Sequence, residues 1–226
     1  MLISPLLRKN PPYDPLNDFA FVSVFAIMPN VLVVNADLPI RNTRELIEYT
    51  KANPGKVNMS SAGVGSQSHL SGALLLAMGG FESVHVPHKG MAPAITDLMA
   101  GQVQVLLVSL TSVEAQMQSG RLRAIGVASS KRSPVMPDVP AINESLKGFE
   151  ADSWFGIMMP AGTPREIVIK FNAEAQKILA TQDVKERLLS QGGVPGGGGP
   201  EVLAERVKAD VAKWGKVAKT AGVKIE

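Results

Sequence analysis

Cysteine is absent from the 226-residue chain, which excludes disulfides, thiolate metal sites and cysteine nucleophiles together. Aromatic residues make up only 5%, so the stacking platforms used on single-stranded nucleic acid are missing. Basic residues exceed acidic ones by only three, 23 against 20, and they are scattered along the chain, so no nucleic-acid surface is expected. No run of about 18 apolar residues occurs, which removes a transmembrane helix from consideration. The N-terminal MLISPLLRKNPPYDP has too short an apolar run for a secretory signal and meets prolines at once. Any export signal is therefore expected to lie outside this chain. His69, His85 and His88 have no carboxylates at metal-ligand spacing, and no pair of acids stands out for acid-base work.

What is present is a hydrophobic fraction of 45%, ordinary for a folded protein with a core. From Asn42 onward, β-branched runs alternate with helical periodicity. The pattern predicts a helix over 43–53 stopped by Asn53-Pro54-Gly55, a strand over 57–60, a helix over 68–78 and a strand over 83–86. A helix over 92–100 ended by Gly101, a strand over 103–109, a helix over 112–119 and a strand over 122–128 follow. This βαβ spacing predicts an α/β fold with a parallel sheet covered on both faces. Beyond the proline-rich loop 133–140, a strand over 153–159 and helices over 164–180, 183–191 and 201–221 are expected. Gly192 to Gly199, GGVPGGGG, reads as a flexible loop; no Lys-Ser or Lys-Thr follows it to make a phosphate cradle.

Two runs break the alternation: Phe21 to Val34, interrupted by Met28-Pro29-Asn30, and the strand from Ser153. Each reads as a crossover between lobes. One lobe is placed at residues 35–151 and the other in residues 1–34 and 152–226, a hinge architecture.

Ligands of parallel α/β sheets sit beyond the carboxyl ends of strands. Three such loops fall in the central lobe: SSAGVGSQSHL after the first strand, PHKGMAP after the second and SLTS after the third. In the first, Gly63 and Gly65 permit backbone conformations closed to other residues, and Ser66 and Ser68 place hydroxyls beside the amides of a helix start. Such a helix end attracts an anion without a formal positive charge. The same residues also suit a plain turn and helix cap. His69 reads as a ligand donor or a packing residue, His85 as structural, and Lys89 as a neutralising charge or a solvated surface lysine. Ser109, Thr111 and Ser112 read as donors or caps, and Trp154 and Phe155 as core packing. Catalytic patterns are weak: the Gly-x-Ser-x-Gly elbow is absent, and the dinucleotide fingerprint lacks its third glycine.

PYDPLNDFAFVSV, MPNVLVVNADLPI, KANPGKVNMSSAGVGSQSHLSG, VPHKGMAPAITDLMAGQVQV, SGRLRAIGVASSKRSPVMPDVPAINES and SWFGIMMPAGTP, in this order, resemble the Bug-type receptors of tripartite tricarboxylate transporters. The resemblance covers essentially the whole chain. It implies a type II periplasmic-binding-protein fold of two lobes around a hinge, closing on a small carboxylate that backbone amides and hydroxyls hold. Carried over by position, the site is Ser61, Ala62, Gly63, Gly65, Ser66, His69, His88, Lys89, Gly90 and Ser109. His88 departs from the family, where tyrosine is common. The resemblance further implies a non-enzymatic, periplasmic protein with membrane permease partners, no cofactor and no metal. Family members carry a longer N-terminal stretch, so part of the first lobe is expected to be missing, with self-association through the incomplete lobe. The alternatives are a serine hydrolase using Ser66 and His69, or a truncated product without function.

Overall fold

The computed structural model describes residues 2–223. In chain order its elements begin with α1 (Ile3–Leu6), β1 (Phe19–Met28), β2 (Asn30–Asn35), α2 (Thr43–Ala52), β3 (Asn58–Ser61) and α3 (Gln67–Gly79). They continue with β4 (Val84–Pro87), α4 (Met91–Met99), β5 (Val105–Ser109), α5 (Glu114–Gln118), β6 (Leu122–Val127) and α6 (Ile142–Ser145). The carboxy-terminal part holds β7 (Ser153–Pro160), α7 (Arg165–Ala180), α8 (Gln182–Ser190), β8 (Val194–Gly197) and α9 (Pro200–Thr220). Two compact units result, one from residues 29–152 and one from the flanking residues up to 28 and from 153 onward. The first crossing therefore lies at Pro29, not after Val34. Proline has no N–H to give a ladder, so the long apolar run splits there, and its second half enters the central sheet as β2.

The central unit is a five-stranded sheet in the order β4-β3-β5-β2-β6. β3 runs parallel to β4 and β5, but β2 is antiparallel to both β5 and β6. The expected all-parallel sheet is thus mixed. β2 enters from the crossing at Pro29 instead of through a helical crossover, and so runs against its neighbours. Val31, Leu32, Val33 and Val34 are all fully buried; each contributes about 1.5–3 kcal/mol by burial, which fixes β2 as an interior strand between β5 and β6. Helix α2 is closed at its start by a reciprocal pair: the Asn42 side chain accepts from the Glu45 amide at 2.9 Å, and Glu45 accepts from the Arg41 amide at 2.7 Å. The expected helix over 112–119 is a 3-10 turn at Leu110–Ser112 followed by the short α5.

β3, β4 and β5 share a direction, so Ser61, Pro87 and Ser109 end at one edge of the sheet. The chain enters and leaves the unit at this same edge. There the Asn30 side chain donates to the Ala151 carbonyl at 2.7 Å, and buried Asp152 accepts from the Ser129 hydroxyl at 2.9 Å and the Asn30 amide at 3.4 Å. The Gln67 side chain donates to the Asp152 carbonyl at 3.3 Å, tying the start of α3 to this point.

The flanking unit is an antiparallel sheet, β7-β1-β8. The run Gly192 to Gly199, expected as a flexible loop, supplies β8 and its pairing with β1 at Val24, Ala26 and Ile27. Its glycines permit close approach. A Cβ on Gly196 would lie 2.5 Å from the Val24 carbonyl oxygen. Asn172 and Gln176 of α7 both donate to the Gly198 carbonyl, at 2.9 and 2.8 Å, so this segment is packed and hydrogen-bonded. The outer edge of β7 carries no further strand among the described residues, and Phe155 on it is 59% exposed.

Candidate functional site

Residues 61–69 form a turn that leads from β3 into α3. Gly63 (φ 133°) and Gly65 (φ 76°) occupy backbone regions that L side chains rarely adopt, so the turn depends on both. Its polar groups are largely satisfied from within. The Ala62 amide donates to the Ser68 hydroxyl at 3.0 Å, the Gly63 amide to the Ser61 hydroxyl at 3.1 Å, and the Gly65 amide to His69 Nδ1 at 3.1 Å. The Ser66 hydroxyl donates to the Gly63 carbonyl at 2.7 Å and accepts from the His69 amide at 3.2 Å, capping α3. The amides of Val64 and Ser68 have no hydrogen-bond partner among the described residues. The sequence suited both an anion site and a plain turn with a helix cap; the structure has Ser66 as the cap in a preorganised loop that presents a few donors at a helix start, with the positive end of the helix dipole behind them.

The second loop is laced to the first. The His88 amide donates to the Ser61 carbonyl at 3.0 Å and the Gly90 amide to the Ala62 carbonyl at 3.1 Å. Lys89, between them, is exposed. Replacing it with alanine is expected to weaken anion binding by about 1 kcal/mol or less, as for other exposed charges; a titration showing a loss of several kcal/mol would make Lys89 the principal anchor. Ser109 ends β5 at the same edge, its hydroxyl 3.1 Å from that of Thr111.

Three imidazoles support these loops. His85 Nε2 lies 2.7 Å from the Ser61 hydroxyl, and the His85 ring stacks on His69 with centroids 3.7 Å apart and planes 3° from parallel. Burial pushes the pKa of His69 down. Burial, then the neighbouring His69 and His88, push that of His85 down to about 4. A ring nitrogen that accepts an amide hydrogen, as His69 Nδ1 does, must be unprotonated, so geometry and charge agree. A folded-state pKa below the ordinary 6.5 contributes stability that is full above about pH 6.5 and is lost as pH falls toward 4. The urea midpoint of the central unit should therefore decline over that window, and His85→Gln should flatten the decline. A wild-type midpoint constant from pH 7 to pH 4.5 would contradict this assignment.

His88 was expected beside the ligand. Its ring is instead taken by protein partners: Nδ1 is 3.0 Å from the Ser60 hydroxyl and Nε2 2.9 Å from Asp97 Oδ2, and its side chain is only 10% exposed. Ser60 and Asp97 were not legible as site residues. A serine mid-strand and an aspartate nine positions beyond His88 carry no motif. The trio has the composition of a hydrolytic triad, but Ser60 is fully buried and offers no nucleophile to a substrate. Ser66 and His69 do not make that pair either, since Ser66 is spent on the Gly63 carbonyl and the His69 ring on the Gly65 amide.

Residues 1–223 match the family described as the tripartite tricarboxylate transporter family receptor. The chain belongs to that family. Among curated relatives of this receptor is the UPF0065 protein of the tcbD-tcbE intergenic region in Pseudomonas sp. (strain P51), 43% identical over 91% of this chain and 62% of that protein. The chain thus spans less than two thirds of that relative's length. Among solved structures, R. palustris Rpa4515 with adipate is 36% identical with a TM-score of 0.81, covering 97% of this chain and 74% of that one. The periplasmic binding protein BugD is 36% identical with a TM-score of 0.77, covering 100% and 76%. The receptor is Bug-type, with the α/β, two-lobed fold of the type II periplasmic binding proteins.

Proposed function

We propose that this receptor captures a small carboxylate, with a carboxylate group seated on the Ser61–His69 turn at the start of α3 and bordered by His88–Gly90 and Ser109. The observation that carries this reading is the convergence of the three loops at one sheet edge, with the first preorganised around two positive-φ glycines before an α-helix N-terminus. The 36% identical R. palustris Rpa4515, solved with adipate, supports the ligand class. A site of hydroxyls and amides recognises carboxylate ends, so dicarboxylates, tricarboxylates, aromatic acids and acidic amino acids all belong in the test. The captured solute would be delivered to the permease subunits of a tripartite transporter, which places the working protein in the periplasm; similarity to BugD supports that location. The role is binding without chemistry.

Isothermal titration with adipate and a panel of these acids tests the proposal. Saturable one-to-one binding of at least one acid is expected, and no heat from any of them at millimolar concentration would refute it.

A further inference from the structure

We propose that Asp97, acting through His88, is a positioning residue that clamps the second ligand loop against the first and so sets carboxylate affinity without touching the ligand. The inference rests on the reading of these loops as the carboxylate site. The β3–β4 ladder pairs Ser60 with Val86 and Ser61 with Pro87. Pro87 has no N–H of its own, and at this last rung the pairing passes to the amide of His88, which donates to the Ser61 carbonyl at 3.0 Å.

What holds the loops together from there on is His88 and its neighbours. The His88 amide donates to the Ser61 carbonyl and the Gly90 amide to the Ala62 carbonyl, while the His88 carbonyl oxygen lies 3.1 Å from where a Cβ on Gly63 would stand. The His88 ring fixes the orientation of this segment. Asp97 Oδ2, at 2.9 Å, draws the ring proton to Nε2, which leaves Nδ1 as an acceptor for the Ser60 hydroxyl at 3.0 Å. Ser60 is fully buried on β3. Asp97, on α4, thereby orients a ring that is anchored to the strand from which the first ligand loop springs.

The sign of one substitution separates this role from plain electrostatics. Removing a negative charge near an anion site should tighten anion binding by Coulomb's law. The clamp predicts the opposite. In the full chain, Asp97→Asn should weaken adipate binding about tenfold, the equivalent of one hydrogen bond to a charged group. It should also speed hydrogen exchange of the His88 and Gly90 amides about tenfold, while leaving Ile95 and Leu98 within α4 protected. Asp97 is partly exposed, its side chain 45% accessible. Ser60→Ala, which changes no charge, should weaken adipate binding and loosen the same two amides. Adipate affinity unchanged or raised in Asp97→Asn, with His88 and Gly90 protected as before, would overturn the inference. If the wild-type chain bound none of the carboxylates, the site reading would fall on its own. The exchange rates of His88 and Gly90 would then decide the clamp: unchanged rates in both variants would refute it.

Discussion

Replacing Gly63 with valine is expected to reduce carboxylate affinity by at least about 100-fold while the far-UV spectrum stays near native. Two separate obstacles produce the loss. At φ 133° a branched L residue is strained, at a cost of about 1–3 kcal/mol. Its Cβ would also stand 3.1 Å from the His88 carbonyl, so the turn would have to part from the second loop to admit it. The strain falls on a loop and not on the β3 ladder, which is why binding should fail before folding does. A Gly63→Val protein that bound adipate with wild-type affinity would remove this turn from the site.

Gly196→Ala is expected to destabilise the flanking unit by about 2–3 kcal/mol, the upper part of the range for overpacking a closed space. The added methyl would meet the Val24 carbonyl oxygen at 2.5 Å and the Val24 carbonyl carbon at 2.7 Å. Those are backbone atoms of the central strand β1, which cannot swing aside as a side chain can. The control is Gly215→Ala in α9. There an added Cβ meets nothing within 4 Å, and the gain in helix propensity should leave stability equal or up to about 1 kcal/mol higher. Urea unfolding of the two variants compares them directly; equal midpoints would mean that β8 is not packed on β1 as described.

Gly196 also shows where sequence reading stopped. GGVPGGGG has no apolar alternation, so nothing in its pattern signals a strand. Its pairing is made possible by what the glycines lack, and that is visible only once β1 lies beside them. The run Phe21 to Val34 was legible as apolar and broken at Pro29, but whether β2 belongs before or after the crossing depends on pairing with β5 and β6, contacts 71 to 96 residues distant. The local βαβ series, by contrast, was readable almost throughout, because helix caps such as Asn42 and stops such as Gly101 act within a few residues.

The site divides in the same way. Gly63, Gly65 and Ser66 announce a turn before a helix, and the turn is there. That the Gly65 amide is held by the His69 ring, and the Ala62 amide by Ser68, follows from side-chain geometry that spacing does not contain. His88 was placed at the site only by position in the family resemblance, where it departs from the common tyrosine; its ring turns inward to Ser60 and Asp97, partners that carry no sequence signal.

The central claim is that a ligand carboxylate sits at the turn leading into α3. Titrating the isotope-labelled chain with adipate while following its backbone amide resonances tests it most directly. Saturable shifts concentrated at Val64, Gly65, Ser66 and Ser68, with smaller ones at Lys89 and Gly90, are the predicted result. Saturable shifts confined to the flanking unit, with this turn unmoved, would contradict it.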